Sequence, residues 1–183
     1  MGKRQSISGQ VGNKQSLPVR LLLTDARNDA RLERVISRLG KGDAVVFRHY
    51  HLPPPARMQR FRQLQRRAGA RGVSVIAARL GGASRVDGVY GSAREVAAAP
   101  GWKLATAHSL AEIAAAVRAG ADAVLLSPVF PTRSHPGAPV LGPLRFLMMA
   151  RRSPLPVIAL GGMTAGRAGR LPVHGWAAID GIA

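Results

Sequence analysis

Eight short aliphatic runs, each followed by helical or turn-forming sequence, constrain this chain more than any other feature. They fall at 19–25 (VRLLLTD), 43–48 (DAVVFR), 73–78 (VSVIAA), 86–90 (VDGVY), 102–106 (WKLAT), 122–127 (DAVLLS), 156–160 (PVIAL) and 175–180 (GWAAID). Runs that are apolar at consecutive positions are strands covered on both faces, and such strands belong to parallel sheets flanked by helices. Between them, Leu32, Val35, Ile36 and Leu39 recur at helical spacing ahead of Gly40, a residue at which such a helix stops. Ser109 and Glu112 stand at capping-box spacing and open a helix through Leu110, Ile113 and Val117 to Gly120. Pro143 suits the first turn of a further helix that ends before Pro154. Eight strands alternating with helices predict a (β/α)8 barrel.

The barrel has to be a compact one, because the chain has 183 residues where this architecture usually takes about 250. Two economies are legible: Arg79 to Arg85 is too short for a full third crossover helix, and a final helix is absent before Ala183. An open doubly wound sheet is the alternative fold. Residues 1–18 are polar, without period, and read as a flexible arm ahead of a single domain at 19–183. They lack the apolar middle of a secretory signal, and no apolar run approaches the ~20 residues of a membrane span. A cytoplasmic protein with no membrane partner is expected.

Charge raises the question of a polyanionic partner. Twenty-seven Lys+Arg against nine Asp+Glu give a formal net charge of +18, and 23 of the basic residues are arginine. They are scattered along the chain, and the densest group (Arg57, Arg60, Arg62, Arg66, Arg67, Arg71) lies in a helix whose apolar stripe is Met58, Phe61, Leu64 and Ala68. That spacing puts most of these arginines on the solvent side. Only eight aromatic residues occur, with no basic–aromatic interleaving that would stack unpaired bases, so nucleic acid is the disfavoured partner. Cysteine is absent, which excludes disulfide frameworks and thiolate metal sites.

In either α/β fold the chemistry sits on the loops that follow the strands. Collected there are Thr24 and Asp25, Arg48 and His49, Arg79, Tyr90, Thr106 and His108, the loop from Ser127 to Pro139, Gly161 to Met163, and Ile179 with Asp180. The turn Gly161-Gly162 offers backbone N–H groups to a phosphate. The loop at 127–139 contains four prolines and the hydroxyls of Thr132 and Ser134, and is stiffer and longer than an ordinary connection.

Four of these segments, TAHS (106–109), GADAVLLSPVFPTRSH (120–135), PVIALGGM (156–163) and GWAAIDGI (175–182), resemble the thiamine phosphate synthase and TenI-type family of small (β/α)8 barrels. LLLTD (21–25) and the pair Phe47-Arg48 resemble its first two strand ends, while SHPGAPVLG (134–142) is most similar to a divergent branch. The resemblance implies a transferase of thiamine biosynthesis that couples hydroxymethylpyrimidine diphosphate to thiazole phosphate, with Mg2+ and basic residues assisting the departure of diphosphate. By position, Arg48 would bind the diphosphate, Thr106 would stand near the reacting carbon, and His108 and His135 are candidates for proton transfer. Thr132, Ser134, Gly161, Gly162 and the backbone around Ile179 would hold the thiazole phosphate.

Several positions depart from the family's pattern. Tyr50 replaces a lysine, Ala77-Ala78 an Asn-Asp pair, His135 a second lysine, and Asp180 a serine near the phosphate. Glu95 is then the nearby carboxylate available to a metal, and Pro128 stands where TenI-type proteins carry their acid–base histidine. A TenI-type thiazole tautomerase, or a barrel that binds thiazole phosphate or thiamine phosphate without turning them over, is the alternative function. Homo-oligomerisation is compatible with either.

Overall fold

The structure is a computed structural model and describes residues 16–81, 85–134 and 136–182. Its eight strands are β1 Arg20–Leu23, β2 Asp43–Phe47, β3 Ser74–Ala77, β4 Gly88–Gly91, β5 Trp102–Ala107, β6 Ala123–Leu126, β7 Val157–Leu160 and β8 Gly175–Ala178. They pair in parallel and in sequence order, and β8 returns to β1 through Arg20↔Trp176, Leu21↔Ala177 and Leu22↔Ala178. The sheet is therefore a closed (β/α)8 barrel, not an open doubly wound sheet. The helices are α1 Leu32–Ile36, α2 Pro54–Gly69, α3 Ala93–Val96, α4 Leu110–Arg118, α5 Gly142–Ala150 and α6 Ala165–Ala168.

Both expected economies are present. Among the described residues no helix separates β3 from β4, and residues 179–182 form none after β8. The first helix is also shorter than its periodicity suggests: a 3-10 turn at Ala26–Arg31 precedes α1, which ends at Ile36. Most of the predicted flexible arm lies outside the described residues. No described helix is long and apolar enough to cross a membrane.

Consecutive apolar positions in the strands serve two cores at once. Leu21, Leu23, Ala44, Val46, Ile76, Leu104, Leu125, Ile158 and Ala177 fill the barrel interior. The residues between them, among them Leu22, Val45, Val75, Ala105, Val124, Val157 and Ala159, face outward against Phe61 and Leu64 of α2, Ile113 of α4 and Phe146 of α5. This alternation fixes which residues reach the barrel mouth, because a strand side chain two positions beyond an inward one points the same way. Val46 thus aims Arg48 at the mouth, Leu104 aims Thr106, Leu125 aims Ser127, Ile158 aims Leu160 and Ala177 aims Ile179.

The arginine-rich helix α2 divides its cations. Arg62, Arg66 and Arg67 are exposed as expected, and so is Arg71, which lies in the turn just after the helix, but Arg57 and Arg60 are half-buried and bonded across the strand ends. At the opposite end of the barrel, Arg20 Nε and Nη2 donate to the two carboxylate oxygens of Asp43 at 3.0 and 2.6 Å. Asp87 and Asp122 there accept the backbone N–H of Val75 and of Lys103. Those carboxylates tie strands together at the face that carries stability in this architecture.

Candidate functional site

A cavity of about 670 Å3 opens at the C-terminal end of the barrel. Its wall includes Arg48, Tyr90, Thr106, His108, Ser127, Thr132, Ser134, Gly161, Gly162 and Ile179, together with Arg27, Arg133, Met163, Thr164 and Asp180. Eight of the nine described residues expected at the site therefore meet in one cavity, Glu95 being the exception. His135 lies outside the described residues.

Arg48 enters the cavity from the end of β2 on a backbone held at both sides. Its N–H donates to Thr24 Oγ1 at 2.8 Å, and its carbonyl accepts from Arg57 Nε and Nη2 at 3.1 and 2.7 Å. Behind it Thr24 and His49 are buried, with Thr24 Oγ1 2.7 Å from His49 Nδ1 and His49 Nε2 2.8 Å from Asp29 Oδ1. The carboxylate can only accept, so His49 carries its proton on Nε2 and takes the Thr24 hydroxyl hydrogen on Nδ1. Burial pushes the His49 imidazole below its ordinary value of 6.5, against the opposing pull of Asp29. Burial would raise the Asp29 carboxyl, but hydrogen bonds from His49 and Arg60 outweigh it and hold the group low.

The unfolded chain protonates at His49 more readily than the folded one, so stability rises with pH between the lowered folded value and 6.5. Full stability from this group is expected above 6.5 and is lost as pH falls through that window. Thermal melts of the parent and of His49→Gln between pH 7.5 and 5 check this. The decline should be shallower in the variant, and equal slopes would show that His49 is not the linked group.

At β5, Thr106 Oγ1 donates to the Gly91 carbonyl at 3.3 Å, which leaves its oxygen free to accept from a ligand. His108 Nδ1 lies 2.8 Å from the Ser127 carbonyl, so the proton sits on Nδ1 and Nε2 is an open acceptor. The helix that follows is capped as its sequence predicts on one side: Ser109 accepts from the Glu112 N–H. Glu112 itself reaches one residue further back than in a capping box and takes the His108 N–H at 2.8 Å. Tyr90 is pushed above its ordinary phenol value by burial and remains a hydrogen-bond donor.

The other end of the cavity is built by the loop after β6 and the glycine turn after β7. Gly161 and Gly162 have φ of +96° and +62°. A Cβ on Gly162 would stand 2.5 Å from the Pro131 carbonyl oxygen, and one on Gly161 2.7 Å from Pro128 Cα. The turn is thus a structural seat for the loop as well as a source of N–H donors. The helix start adds less than its sequence suggests, since α6 has four residues and Thr164 already accepts the Arg167 N–H. Ser134 Oγ accepts from Arg27 Nη2 at 2.8 Å, and its own hydroxyl hydrogen remains available.

Arg27 is a site residue that sequence reasoning passed over. It follows Asp25, which caps the 3-10 turn in a capping box with Asn28; the spacing Asp25-x-x-Asn28 is the signal that could have located it. Asn28 Nδ2 also donates to the Ile179 carbonyl at 2.8 Å, joining the first and last strand ends. Asp180 points into the cavity, and three arginines answer its charge: Arg133 at 3.3 Å, Arg27 at 3.7 Å and Arg31 at 3.9 Å. The surroundings of Asp180 are therefore net cationic, which removes the repulsion a lone carboxylate would offer to phosphate.

Glu95 does not serve as a metal ligand here. Its carboxylate closes a capping box with Ser92 and bonds Arg79 Nε at 2.5 Å, and these donors hold it below the usual carboxylate range. Every other carboxylate of the nine is likewise committed to a cap, a strand tie or an arginine. Among the described residues no three His, Cys, Asp or Glu side chains group as a metal site. Magnesium requires hard oxygen donors, and the end of β3 presents Ala77 and Ala78 instead. The residues present do not fit the metal that the resemblance implies.

Comparison with known proteins agrees with this geometry. A solved thiamine phosphate pyrophosphorylase from Pyrococcus furiosus superposes with a TM-score of 0.73 at 23% identity, covering 88% of this chain and 85% of that one. The thiamine-phosphate synthase of Myxococcus xanthus is 54% identical over 50 residues, 27% of this chain and 23% of its own length. A relative from Aquifex aeolicus, also named for this activity, is 42% identical over 59 residues, 32% of each chain. The matched stretches thus span about a third or less of the curated relatives. Over residues 21–183, nearly the whole described barrel, the sequence matches the family model described as thiamine monophosphate synthase, and the chain belongs to that family.

Proposed function

We propose that this protein is a thiamine phosphate synthase, joining hydroxymethylpyrimidine diphosphate to thiazole phosphate. The observation that carries the reading is a single cavity with two anion-receptive ends: the guanidinium of Arg48 at one, and the Gly161-Gly162 turn with Thr132 and Ser134 at the other. Two phosphorylated substrates placed in that cavity meet between Tyr90, Thr106 and His108.

The chemistry asks little covalent work of the protein. The bond between the pyrimidine methylene carbon and the diphosphate oxygen breaks, and its electron pair leaves with the oxygen. The thiazole nitrogen lone pair then forms the new C–N bond. Arg48 neutralises charge as it gathers on the departing oxygens, where a planar fork reaches two at once. The seated loop at 127–134 holds the thiazole phosphate so that the nitrogen faces the carbon being released.

Incubation of the protein with both substrates, with and without Mg2+, tests this by mass detection of thiamine phosphate. Product formation is the expected result, and its absence in both conditions would overturn the reading. One observation favours a second reading: His108 Nε2 is an open acceptor on the cavity wall, as a thiazole tautomerase would use. Under that reading the protein isomerises the thiazole phosphate and forms no thiamine phosphate.

A further inference from the structure

Three guanidinium groups gather around the ring of Tyr50 at the ends of β2 and β3, where Arg48 lines the cavity and Arg79 lines a separate recess with Glu95. Cζ of Arg57 lies 5.1 Å from the ring centroid, that of Arg48 5.7 Å and that of Arg79 5.9 Å. Arg57 is fixed: beyond its bonds to the Arg48 carbonyl, Nη2 donates to Ala78 O at 2.6 Å and Nη1 to Arg79 O at 2.7 Å. It staples the ends of β2 and β3 together. Arg79 adopts φ +47°, a left-handed backbone that L residues rarely take without a compensating gain.

Charge at this rim does not balance. Glu95 answers Arg79, while the Arg48 guanidinium makes no ion pair among the described residues. Three cations against Glu95 and the more distant Asp25, itself paired with Arg27, leave a surplus that the ring quadrupole offsets only in part. Such a cluster, open to the cavity through Arg48, suits an anion with more than one charged centre, each guanidinium fork taking a separate phosphate group.

We propose that Arg48 and Arg79, gathered by Tyr50 and stapled by Arg57, form a diphosphate subsite that works without a divalent cation. This deepens the synthase reading and rests on it for the identity of the diphosphate ester. In it, Arg48 and Arg79 contact the ligand, whereas Tyr50 and Arg57 are positioning residues. Arg79 carries the greater adjustment, since its side chain is 68% exposed and pairs with Glu95 until the anion arrives.

The test is calorimetric titration of the whole protein with inorganic pyrophosphate in EDTA. Saturable binding is expected, weakened about tenfold or more in Arg79→Gln and in Tyr50→Leu, and by less than about twofold in Tyr50→Phe, which keeps the ring face. Arg62→Gln, on the exposed face of α2, removes the same charge elsewhere and should bind like the parent. Arg79→Gln alters an exposed side chain and keeps the test valid if Tyr50→Leu fails to fold. Binding that needs added Mg2+, or Arg79→Gln indistinguishable from Arg62→Gln, overturns the subsite. Thiamine phosphate formation, assayed in parallel, separates the two ideas. Product with Mg2+ but no pyrophosphate binding in EDTA sinks the subsite alone. Pyrophosphate binding in EDTA without product under any condition sinks the synthase reading and leaves a polyanion site.

Discussion

Arg48→Lys is expected to lower kcat/KM for the pyrimidine diphosphate by about 100-fold, and Arg48→Ala by about 1,000-fold, comparable to removing a donor that meets developing charge. An ammonium replaces the two-pronged contact with a point charge, which is why even the conservative change should be damaging. The fold should hardly notice. What anchors this position is backbone, namely the N–H to Thr24 and the carbonyl to Arg57, and neither bond involves the Arg48 side chain. Steady-state kinetics beside thermal melts make the comparison, and brisk turnover in Arg48→Ala would show that the diphosphate binds elsewhere.

Gly162→Val should abolish measurable binding of thiazole phosphate, and it should do so by moving the loop. The backbone at φ +62° costs a non-glycine residue about 1–2 kcal/mol, more with a β-branched side chain. The new Cβ would also press on the Pro131 carbonyl at 2.5 Å and on Phe130 Cβ at 2.9 Å. Thr132 and Ser134 follow those residues directly, so displacing one displaces the others. Gly166→Ala is the control, since nothing lies within 4 Å of its Cβ. A Gly162→Val protein that melts lower and no longer binds fits this account, and unchanged affinity would remove the turn from the site.

Barrel and mouth were readable in the sequence for one reason. A strand buried on both faces shows a continuous aliphatic run, and the parity of that run decides which following residue turns inward. Arg48, Thr106 and Ile179 were located as strand-end residues and by resemblance, and the structure shows why they turn inward: they stand two positions beyond Val46, Leu104 and Ala177. Glu95 was misread because a lone carboxylate in sequence does not disclose its donors, and the capping box with Ser92 and the bond to Arg79 claim it only in three dimensions. Arg27 escaped because it belongs to a turn, where no period announces direction, and its partners Ser134 and Asp180 lie more than a hundred residues away. The arginines of α2 show the same limit: helical spacing separates the exposed Arg62, Arg66 and Arg67 from Arg57 and Arg60 only loosely, and strand-end carbonyls and carboxylates decide the rest.

Among the described residues no outer helix stands between β3 and β4, and this has a mechanical consequence. These two strands share two paired positions, Ile76↔Gly88 and Ala77↔Val89, where β1 and β2 share four. With this short register and no described helix on that flank, the barrel carries a seam, and local opening should begin there at a lower free energy than elsewhere. Amide exchange ought to be fastest along β4 and slowest along β1 and β2. The seam runs up to Arg79, so the rim that carries it can breathe while the loop seated on Gly161 and Gly162 stays rigid. One half of the mouth is then expected to be compliant and the other stiff, so that in the proposed reaction the departing diphosphate would leave past the yielding edge while the thiazole phosphate stays held opposite.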